Sequence, residues 1–416
     1  MNNNVIVVGG GVIGICTAYY LMKEGVSVTV IEKEEVGSGC SFGNAGYVSP
    51  SHFIPLASPG IIAKGLRWML NPVSPFYIKP RLDVDLISWL LKFRDAANPA
   101  RASRAMPVLA AMNLASAGLF KELATAEGLD FSFKNNGLFM LYNTDKGEKE
   151  ELETASKAKQ VGIEARPVTR EEINELDPCI RTHARGGVYY PQDCHMEPAR
   201  FVQGLGRYVE RNGVKILSST TVLGFEKSDG RITVVRTSGG DLAAGEIVLA
   251  GGSWSPGIVR DLHIKLPVQP AKGYSVTIEN PPRKMSVPVM LTEAKVAITP
   301  MGEKLRFAGT LELAGHDLSI NTRRVHAILN AVPRYLADIN PSDFMSIEPW
   351  AGLRPCSPDG LPFVGRFQAF NNLIAATGHA MLGLSLAPIT GKLVSEIITR
   401  KSPTIGLDLL QPDRFS

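Results

Sequence analysis

The stretch that decides the fold is Val5-Ile6-Val7-Val8-Gly9-Gly10-Gly11-Val12-Ile13-Gly14. An apolar run that ends in glycines and precedes a helical pattern is typical of a buried parallel strand entering a helix. Gly9 would permit the tight turn, Gly11 would let the backbone approach a pyrophosphate, and Gly14 would let helix and strand pack closely. The pyrophosphate would then lie on the free N–H groups where the helix starts, near Val12.

A second apolar run, Val28-Thr29-Val30-Ile31, ends at Glu32, eighteen residues after Gly14. A carboxylate at this offset can accept hydrogen bonds from an adenosine ribose. The helical pattern from Ile15 to Glu24 is closed by Gly25. Because strand, helix and acid agree, the sequence favours a dinucleotide site over a glycine turn with a purely structural role.

The composition of the chain limits the classes of protein to which it can belong. A chain of 416 residues with 44% hydrophobic and 20% charged residues predicts an ordinary globular protein with two intertwined domains. A net charge of +4, with basic residues scattered among acids, gives no case for nucleic-acid binding. The five cysteines show neither a CxxC pair nor a metal-ligand spacing, so we expect reduced thiols, no metal site and a cytoplasmic location without a secretory leader.

The segment from residue 50 to residue 105 is interrupted by prolines but includes two amphipathic helical patterns, at 61–70 and 86–94. Core packing is the ordinary explanation of such helices. Peripheral docking of the apolar stretch 55–80 on a membrane surface is the alternative. No run approaches the roughly 18 apolar residues of a spanning helix.

Two later strand patterns also end in glycine. The run 246–250 leads into Gly251 and Gly252, and the run 372–377 leads into Gly378, whereas the residues between 266 and 345 are rich in strand patterns. We therefore predict an α/β fold with a discontinuous nucleotide domain (1–50, 186–265 and 346–416). The substrate domain would be an inserted α+β unit on an antiparallel sheet (51–185 and 266–345).

Further motifs follow in a fixed order: the loop Ser41…Asn44-Ala45-Gly46, then Gly251-Gly252-Ser253-Trp254, Gly352-Leu353-Arg354-Pro355 and Ala376-Thr377-Gly378-His379. With the N-terminal glycines, they resemble the D-amino-acid oxidase superfamily of FAD-dependent amine oxidoreductases over essentially the whole chain. Asn44-Ala45-Gly46 followed by Val48-Ser49-Pro50 is most similar to bacterial D-amino-acid dehydrogenases, including the D-hydroxyproline type.

The resemblance implies noncovalent FAD in a Rossmann-like domain. Val222 would give backbone contacts to the adenine, and Gly378 and its successors would line the far edge of the flavin. The residues so assigned to the cofactor are Gly9, Gly11, Val12, Ile13, Gly14, Glu32, Lys33, Ser41, Asn44, Ala45, Gly46, Val222, Gly251, Gly252, Trp254, Gly378, Met381, Leu382 and Gly383.

The resemblance also assigns the substrate carboxylate to Arg354, whose planar guanidinium makes charge-assisted bonds of roughly 1.5–3 kcal/mol each. A surface salt bridge is the alternative role. Tyr274 is a candidate for a second carboxylate contact or a pocket wall, and His52 and His379 are candidate catalytic residues. Buried tyrosines and histidines often have only packing roles.

The implied reaction is hydride transfer from Cα to flavin N5. The substrate would be a D-amino acid or a cyclic D-imino acid such as D-proline or hydroxy-D-proline. A quinone or another carrier would receive the electrons, which allows the enzyme to work at the inner face of the membrane. A glycine- or sarcosine-type oxidase that uses O₂ is the nearest alternative, and a non-catalytic nucleotide-binding protein is the alternative of another class.

Overall fold

The computed structural model describes residues 4–69, 71, 74–125, 128–337 and 339–416. Its helices are α1 (Val12–Lys23), α2 (Ile61–Met69), α3 (Val84–Ala96), α4 (Pro99–Ala124), α5 (Asp145–Gln160), α6 (Arg170–Leu176), α7 (Pro198–Arg211), α8 (Ser255–Ile258), α9 (Thr322–Ala331) and α10 (Ala387–Thr399). Within these described ranges, no helix is both long and apolar enough to cross a membrane.

The strands alternate with these helices along the chain. They are β1 (Asn4–Val8), β2 (Ser27–Ile31), β3 (Tyr47–Val48), β4 (Phe76–Ile78), β5 (Leu138–Tyr142), β6 (Arg166–Val168), β7 (Gly186–Tyr190), β8 (Cys194–His195), β9 (Lys215–Leu217), β10 (Val222–Ser228), β11 (Arg231–Thr237), β12 (Leu242–Ala243), β13 (Glu246–Leu249), β14 (Gln269–Glu279), β15 (Val289–Leu291), β16 (Val296–Met301), β17 (Lys304–Leu313), β18 (Trp350–Cys356), β19 (Phe363–Arg366) and β20 (Leu373–Thr377).

The first sheet has the order β19-β20-β13-β1-β2-β9. All its neighbours are parallel except β19, which runs antiparallel to β20. Val5 and Val7 of β1 pack in one hydrophobic cluster, and Ile6 and Val8 pack in another on the opposite face. A strand buried on both faces needs a continuous apolar sequence, which explains the N-terminal run.

The second sheet has the order β18-β14-β17-β16-β15-β5-β7-β6, with β4 added beside β17. One face packs in a hydrophobic cluster with α9. The other face meets the loop that follows β2: Thr299 Oγ1 donates to the carbonyl of Ala45 at 2.6 Å, and Arg306 Nη1 donates to the carbonyl of Asn44 at 2.7 Å. These bonds fix the two sheets relative to each other.

Strand pairing departs from the predicted domain boundaries in two places. The sequence assigns 186–265 and 346–416 to the nucleotide domain, yet β7 pairs with β5 and β6, and β18 pairs with β14. Both strands therefore belong to the second sheet by hydrogen bonding. That sheet is also mixed rather than antiparallel, because β15–β5 and β17–β4 are parallel pairs. The other boundaries stay a prediction.

Candidate active site

The glycine turn after β1 has the geometry that the sequence predicts. Gly9 has φ +116°, a conformation open to glycine, and its N–H donates to the carbonyl of Ile31 at 2.8 Å. A Cβ on Gly14 would lie 1.8 Å from the carbonyl oxygen of Gly9. Only glycine therefore lets α1 begin this close to the strand.

The start of α1 fits a pyrophosphate. Gly11 caps the helix without a side-chain hydrogen bond, and the first turn contains no acidic residue. Ser41 Oγ accepts from the Val12 N–H at 3.1 Å, which ties the following loop to the helix start. The positive end of α1 is thus left for an anion, with Ile13 in its first turn.

Glu32 is held at the end of β2 by two backbone donors. Its Oε2 accepts from the Gly10 N–H at 2.6 Å and its Oε1 from the Glu34 N–H at 3.0 Å. The carbonyl of Glu32 accepts from Thr220 N at 2.8 Å, two residues before Val222 begins β10. Glu32 and Val222 therefore lie on adjoining segments, as an adenosine site requires.

Lys33, Gly251, Gly252 and Trp254 form the next part of this region. The Lys33 ammonium lies 4.1 Å from the centre of the Trp254 ring. Gly252 has φ +54°, and a Cβ on Gly251 would lie 2.7 Å from Ile258 Cδ1. The chain can make this sharp turn after β13 because both positions lack a side chain.

The loop from Cys40 to Gly46 joins the nucleotide region to the second sheet. Asn44 Oδ1 accepts from the Gly46 N–H at 2.9 Å, and a Cβ on Gly43 would lie 2.1 Å from the ring of Trp350. The C-terminal turn after β20 lines the same cavity as this loop. There Gly378 has φ +78°. Met381 and Leu382 line the cavity, and Gly383, the next residue, does not.

This cavity has a volume of about 950 Å³ and is lined by strands of the second sheet, by the loop that follows β2, and by α2 and α3. Seven of the residues predicted from the sequence line it. These are Asn44, Ala45, His52, Tyr274, Arg354, Met381 and Leu382. It also extends along apolar side chains of α2 and α3, including Ile61, Trp68, Leu90 and Phe93.

Arg354 provides a cation inside this cavity. Its Nη1 donates to the carbonyl of Thr310 at 2.7 Å, and its guanidinium packs on the α-carbon of Gly273. Burial lowers the pKa of Arg354, and the nearby thiols of Cys356 and Cys40 oppose that shift. No carboxylate of the described residues forms an ion pair with it. Because a half-buried cation without a counter-ion is costly, the site fits an anionic ligand.

The side chains of Tyr274 and His379 do not meet Arg354. Tyr274 follows Gly273 in β14, and successive strand residues project to opposite faces, so its hydroxyl instead donates to Glu312 Oε2 at 2.8 Å. His379 is buried, with Nε2 2.9 Å from Thr390 Oγ1 of α10. The hydroxyl of Tyr274 is thus bonded to Glu312, although Tyr274 lines the cavity, and the imidazole of His379 is paired with Thr390. The roles predicted for these two residues stay predictions.

His52 does lie at the cavity, with partners that sequence reasoning missed. Its Nδ1 is 3.1 Å from Ser51 Oγ, which donates to the buried carboxylate of Asp193 at 2.5 Å. Lys295 and Glu151 also line the cavity. The only signal for Asp193 was a charged residue directly before the short β8, and nothing local linked it to Ser51.

Comparisons with known proteins identify the family to which the chain belongs. Residues 4–397 match the FAD dependent oxidoreductase (DAO) family. The chain is 32% identical over 407 residues to the D-amino acid dehydrogenase of Granulibacter bethesdensis, covering 96% of this chain and 97% of that protein. It is 34% identical over 427 residues to the D-amino acid dehydrogenase of Xanthobacter autotrophicus, covering 99% of each chain.

Two solved structures share the fold. The glycine oxidase from Geobacillus kaustophilus has a TM-score of 0.79 at 23% identity, covering 99% of this chain and 98% of that chain. The L-proline dehydrogenase from P. horikoshii has a TM-score of 0.78 at 21% identity, covering 99% and 97%.

The chain belongs to the DAO family of FAD-dependent oxidoreductases. The predicted family, the α/β fold with a Rossmann-like domain and a substrate domain, and FAD as cofactor are confirmed.

Proposed function

We propose that this oxidoreductase dehydrogenates D-amino acids or cyclic D-imino acids such as D-proline and hydroxy-D-proline. The observation that carries the proposal is the guanidinium of Arg354, which lies in the cavity without an ion-pair partner among the described residues. Relatives with 32–34% identity over nearly the full chain are D-amino acid dehydrogenases, which supports the same substrate class.

The side chains would act mainly by binding and orientation. When bound, FAD supplies a two-electron acceptor for the hydrogen on the substrate's α-carbon. Arg354 would bind the substrate carboxylate in a bidentate fashion and thereby fix the α-carbon relative to the loop at Asn44 and Ala45. The apolar walls of the cavity exclude water and disfavour the ammonium form of the substrate.

We expect the cofactor to be held noncovalently. The five cysteines are free, and burial raises the pKa of Cys356 to about 12. A thiol with so little thiolate at neutral pH is a poor nucleophile for attachment. Acid precipitation should therefore release FAD into the supernatant, whereas yellow colour that stays in the pellet would contradict this expectation.

We expect a quinone or another carrier to accept the electrons. The cavity continues from Arg354 along apolar side chains of α2 and α3 toward the surface. Ile87 of α3 lines the cavity and is 50% exposed, and Leu82 and Val84, just before and at the start of this helix, are exposed by 104% and 82%. A path with apolar walls that opens beside exposed apolar side chains suits a lipid-soluble acceptor and peripheral contact with the inner face of the membrane.

The substrate class is tested by pairing Arg354→Ala with matched amines. D-proline and D-alanine should lose affinity, with KM raised roughly 10- to 100-fold, because charge-assisted bonds to the carboxylate are lost. Any turnover of pyrrolidine, which lacks the carboxylate, should not change. Arg366→Ala is the control, since Arg366 pairs with Glu246 outside the cavity. An unchanged KM for both acids would refute the proposal.

The acceptor is tested separately. Enzyme reduced anaerobically with D-proline or D-alanine is mixed with O₂ or with a soluble quinone, and its reoxidation is followed by absorbance. Fast reoxidation by the quinone is the expected result. Fast formation of peroxide would instead identify an oxidase.

A further inference from the structure

A chain of hydrogen bonds connects the cavity to a buried carboxylate. Asp193 is 1% exposed, and its Oδ1 accepts from the Ser51 N–H at 3.0 Å whereas its Oδ2 accepts from Ser51 Oγ at 2.5 Å. Ser51 Oγ lies 3.1 Å from His52 Nδ1. No ion pair involves Asp193 among the described parts of the chain. Ser51 and His52 line the cavity, whereas Asp193 does not.

The chemistry of these groups fixes the state of the imidazole. An ionised carboxylate only accepts, so the hydroxyl proton of Ser51 must point to Asp193. Ser51 Oγ can then only accept from His52, which places a proton on Nδ1. A neutral imidazole protonated on Nδ1 has a lone pair on Nε2, and Nε2 has no hydrogen-bond partner among the described residues. His52 therefore offers a proton acceptor at the cavity.

We propose that His52, Ser51 and Asp193 form a proton relay that deprotonates the substrate's ammonium group before its α-carbon is oxidised. The inference rests on the proposed function, because it assumes an amine held by Arg354. His52 Nε2 takes one ammonium proton, His52 Nδ1 gives its proton to Ser51 Oγ, and Ser51 gives its own proton to Asp193 Oδ2. One N–H bond of the substrate is broken, one O–H bond of Asp193 is formed, and no redox change occurs in the relay.

The two ends of the relay have pKa values suited to this direction. Burial raises the pKa of Asp193 to about 7, despite the opposing bonds from Ser51. Burial, followed by the charge of Lys295, lowers the pKa of His52 to about 4, so the imidazole is neutral and does not store the proton. The carboxylate is therefore the end point, and the free enzyme is ready to accept a proton once Asp193 ionises.

Other charged and titratable groups also lie near His52. Tyr47 of β3 has its ring centre 6.4 Å from that of His52, and Lys295 from the turn between β15 and β16 lowers the pKa of His52. Glu151 of α5 lines the cavity, and burial raises the pKa of its carboxyl. Glu151→Gln is therefore needed as a comparison, because titration of this carboxyl at the cavity would also shape the pH profile.

The tautomer of His52 can be measured without any substrate. In the FAD-loaded enzyme labelled with ¹⁵N-histidine, His52 should be protonated on Nδ1 above about pH 7. Asp193→Asn should move that proton to Nε2, because the asparagine amide donates to Ser51, which must then donate to His52. Nε2–H in the wild-type enzyme at high pH would overturn the relay, even if D-amino acids are oxidised.

Kinetics distinguish a relay from a structural role. Wild-type kcat/KM should rise to a plateau as Asp193 ionises, near pH 7. Ser51→Ala and His52→Gln should lower it at neutral pH by roughly 10²-fold, the usual size of a general-base effect. Their activity should keep rising with pH toward the amine pKa of the free substrate, because free amine no longer needs the relay.

The control is Tyr190→Phe, which removes a buried hydroxyl near Asp193 that forms no hydrogen bond with any described residue. It should leave the pH profile of the wild type unchanged. If Ser51→Ala lowers kcat/KM by the same factor at every pH, Ser51 has a structural role and the relay is overturned. Failure to oxidise any D-amino or D-imino acid would instead refute the proposed function. The tautomer measurement needs no substrate and would still test the relay.

Discussion

The guanidinium of Arg354 lies directly on the α-carbon of Gly273, so that a Cβ at Gly273 would be 2.1 Å from Nη1. These residues lie on neighbouring strands, with Gly273 opposite Gly352 and Arg354 opposite Ala271. The absence of a side chain at Gly273 therefore sets the position of the cation that the proposed substrate needs.

Gly273→Ala should displace Arg354 without removing its charge. We expect KM for D-proline or D-alanine to rise roughly 10-fold or more, because at least one charge-assisted bond is lost. Gly224→Ala is the control, since a Cβ there would have its nearest neighbour at 3.7 Å. Steady-state kinetics with both variants check the prediction. Equal KM values would show that Arg354 adapts or does not bind the carboxylate.

Retention of FAD should depend on Glu32. Glu32→Ala removes the acceptor of the Gly10 and Glu34 N–H groups, together with the expected contact to the ribose. We predict at least a tenfold rise in the Kd for FAD, on the order of one charge-assisted hydrogen bond. Fluorescence titration of the apoprotein with FAD measures it. The neighbouring exposed residue Glu34 provides the matched control, Glu34→Ala, which should bind FAD normally.

The exposed apolar side chains before and within α3 should determine membrane binding. Leu82, Val84 and Ile87 are exposed by 104%, 82% and 50%, and Arg94 of the same helix is also exposed. Replacing the three apolar residues with serine should lower co-sedimentation with vesicles that contain anionic lipid, because less apolar surface is buried. Leu223→Ser, at an exposed site on β10, is the control. If the triple variant and Leu223→Ser bind the vesicles equally, the three apolar side chains do not form the membrane contact.

The sequence could predict those parts of the site that lie within one short segment or in which the geometry allows only one residue type. Gly9 and Gly14 lie within one turn, and their spacing alone implies a close strand–helix contact. Arg354 lines the cavity, and its binding of the substrate carboxylate stays a prediction. Tyr274 shows the limit, because a shift of one residue along a strand moves a side chain to the other face, and the sequence does not reveal which face meets the cofactor region.

Asp193 and Ser51 illustrate a second limit. They are 142 residues apart, and only the packing of the loop after β3 against the segment between β7 and β8 brings them together. The same applies to β7 and β18, which the sequence assigns to the nucleotide domain but which belong to the second sheet. Each pairs with a strand that is distant in the sequence and comes near it only in the folded chain. Long-range pairing is not encoded in local periodicity.

Burial of His379 should make the fold sensitive to acid. Burial lowers the pKa of His379 to about 3, from 6.5 for an unperturbed histidine. Between these values the unfolded chain binds a proton that the native protein does not, so the free energy of unfolding falls as the pH is lowered. The stabilising contribution is fully present above 6.5 and is lost as the pH falls toward 3. The slope approaches about 1.4 kcal/mol for each pH unit.

His379→Gln keeps a nitrogen donor for Thr390 but cannot titrate in this range. Its melting temperature should therefore fall less than that of the wild type between pH 6.5 and pH 4, although His52 and His195 still contribute because burial lowers both their pKa values to about 4. His263→Asn is the control, because His263 is exposed and its φ of +59° suits asparagine. Thermal unfolding at several pH values decides the point: identical acid slopes for His379→Gln and the wild type would mean that His379 becomes protonated without unfolding.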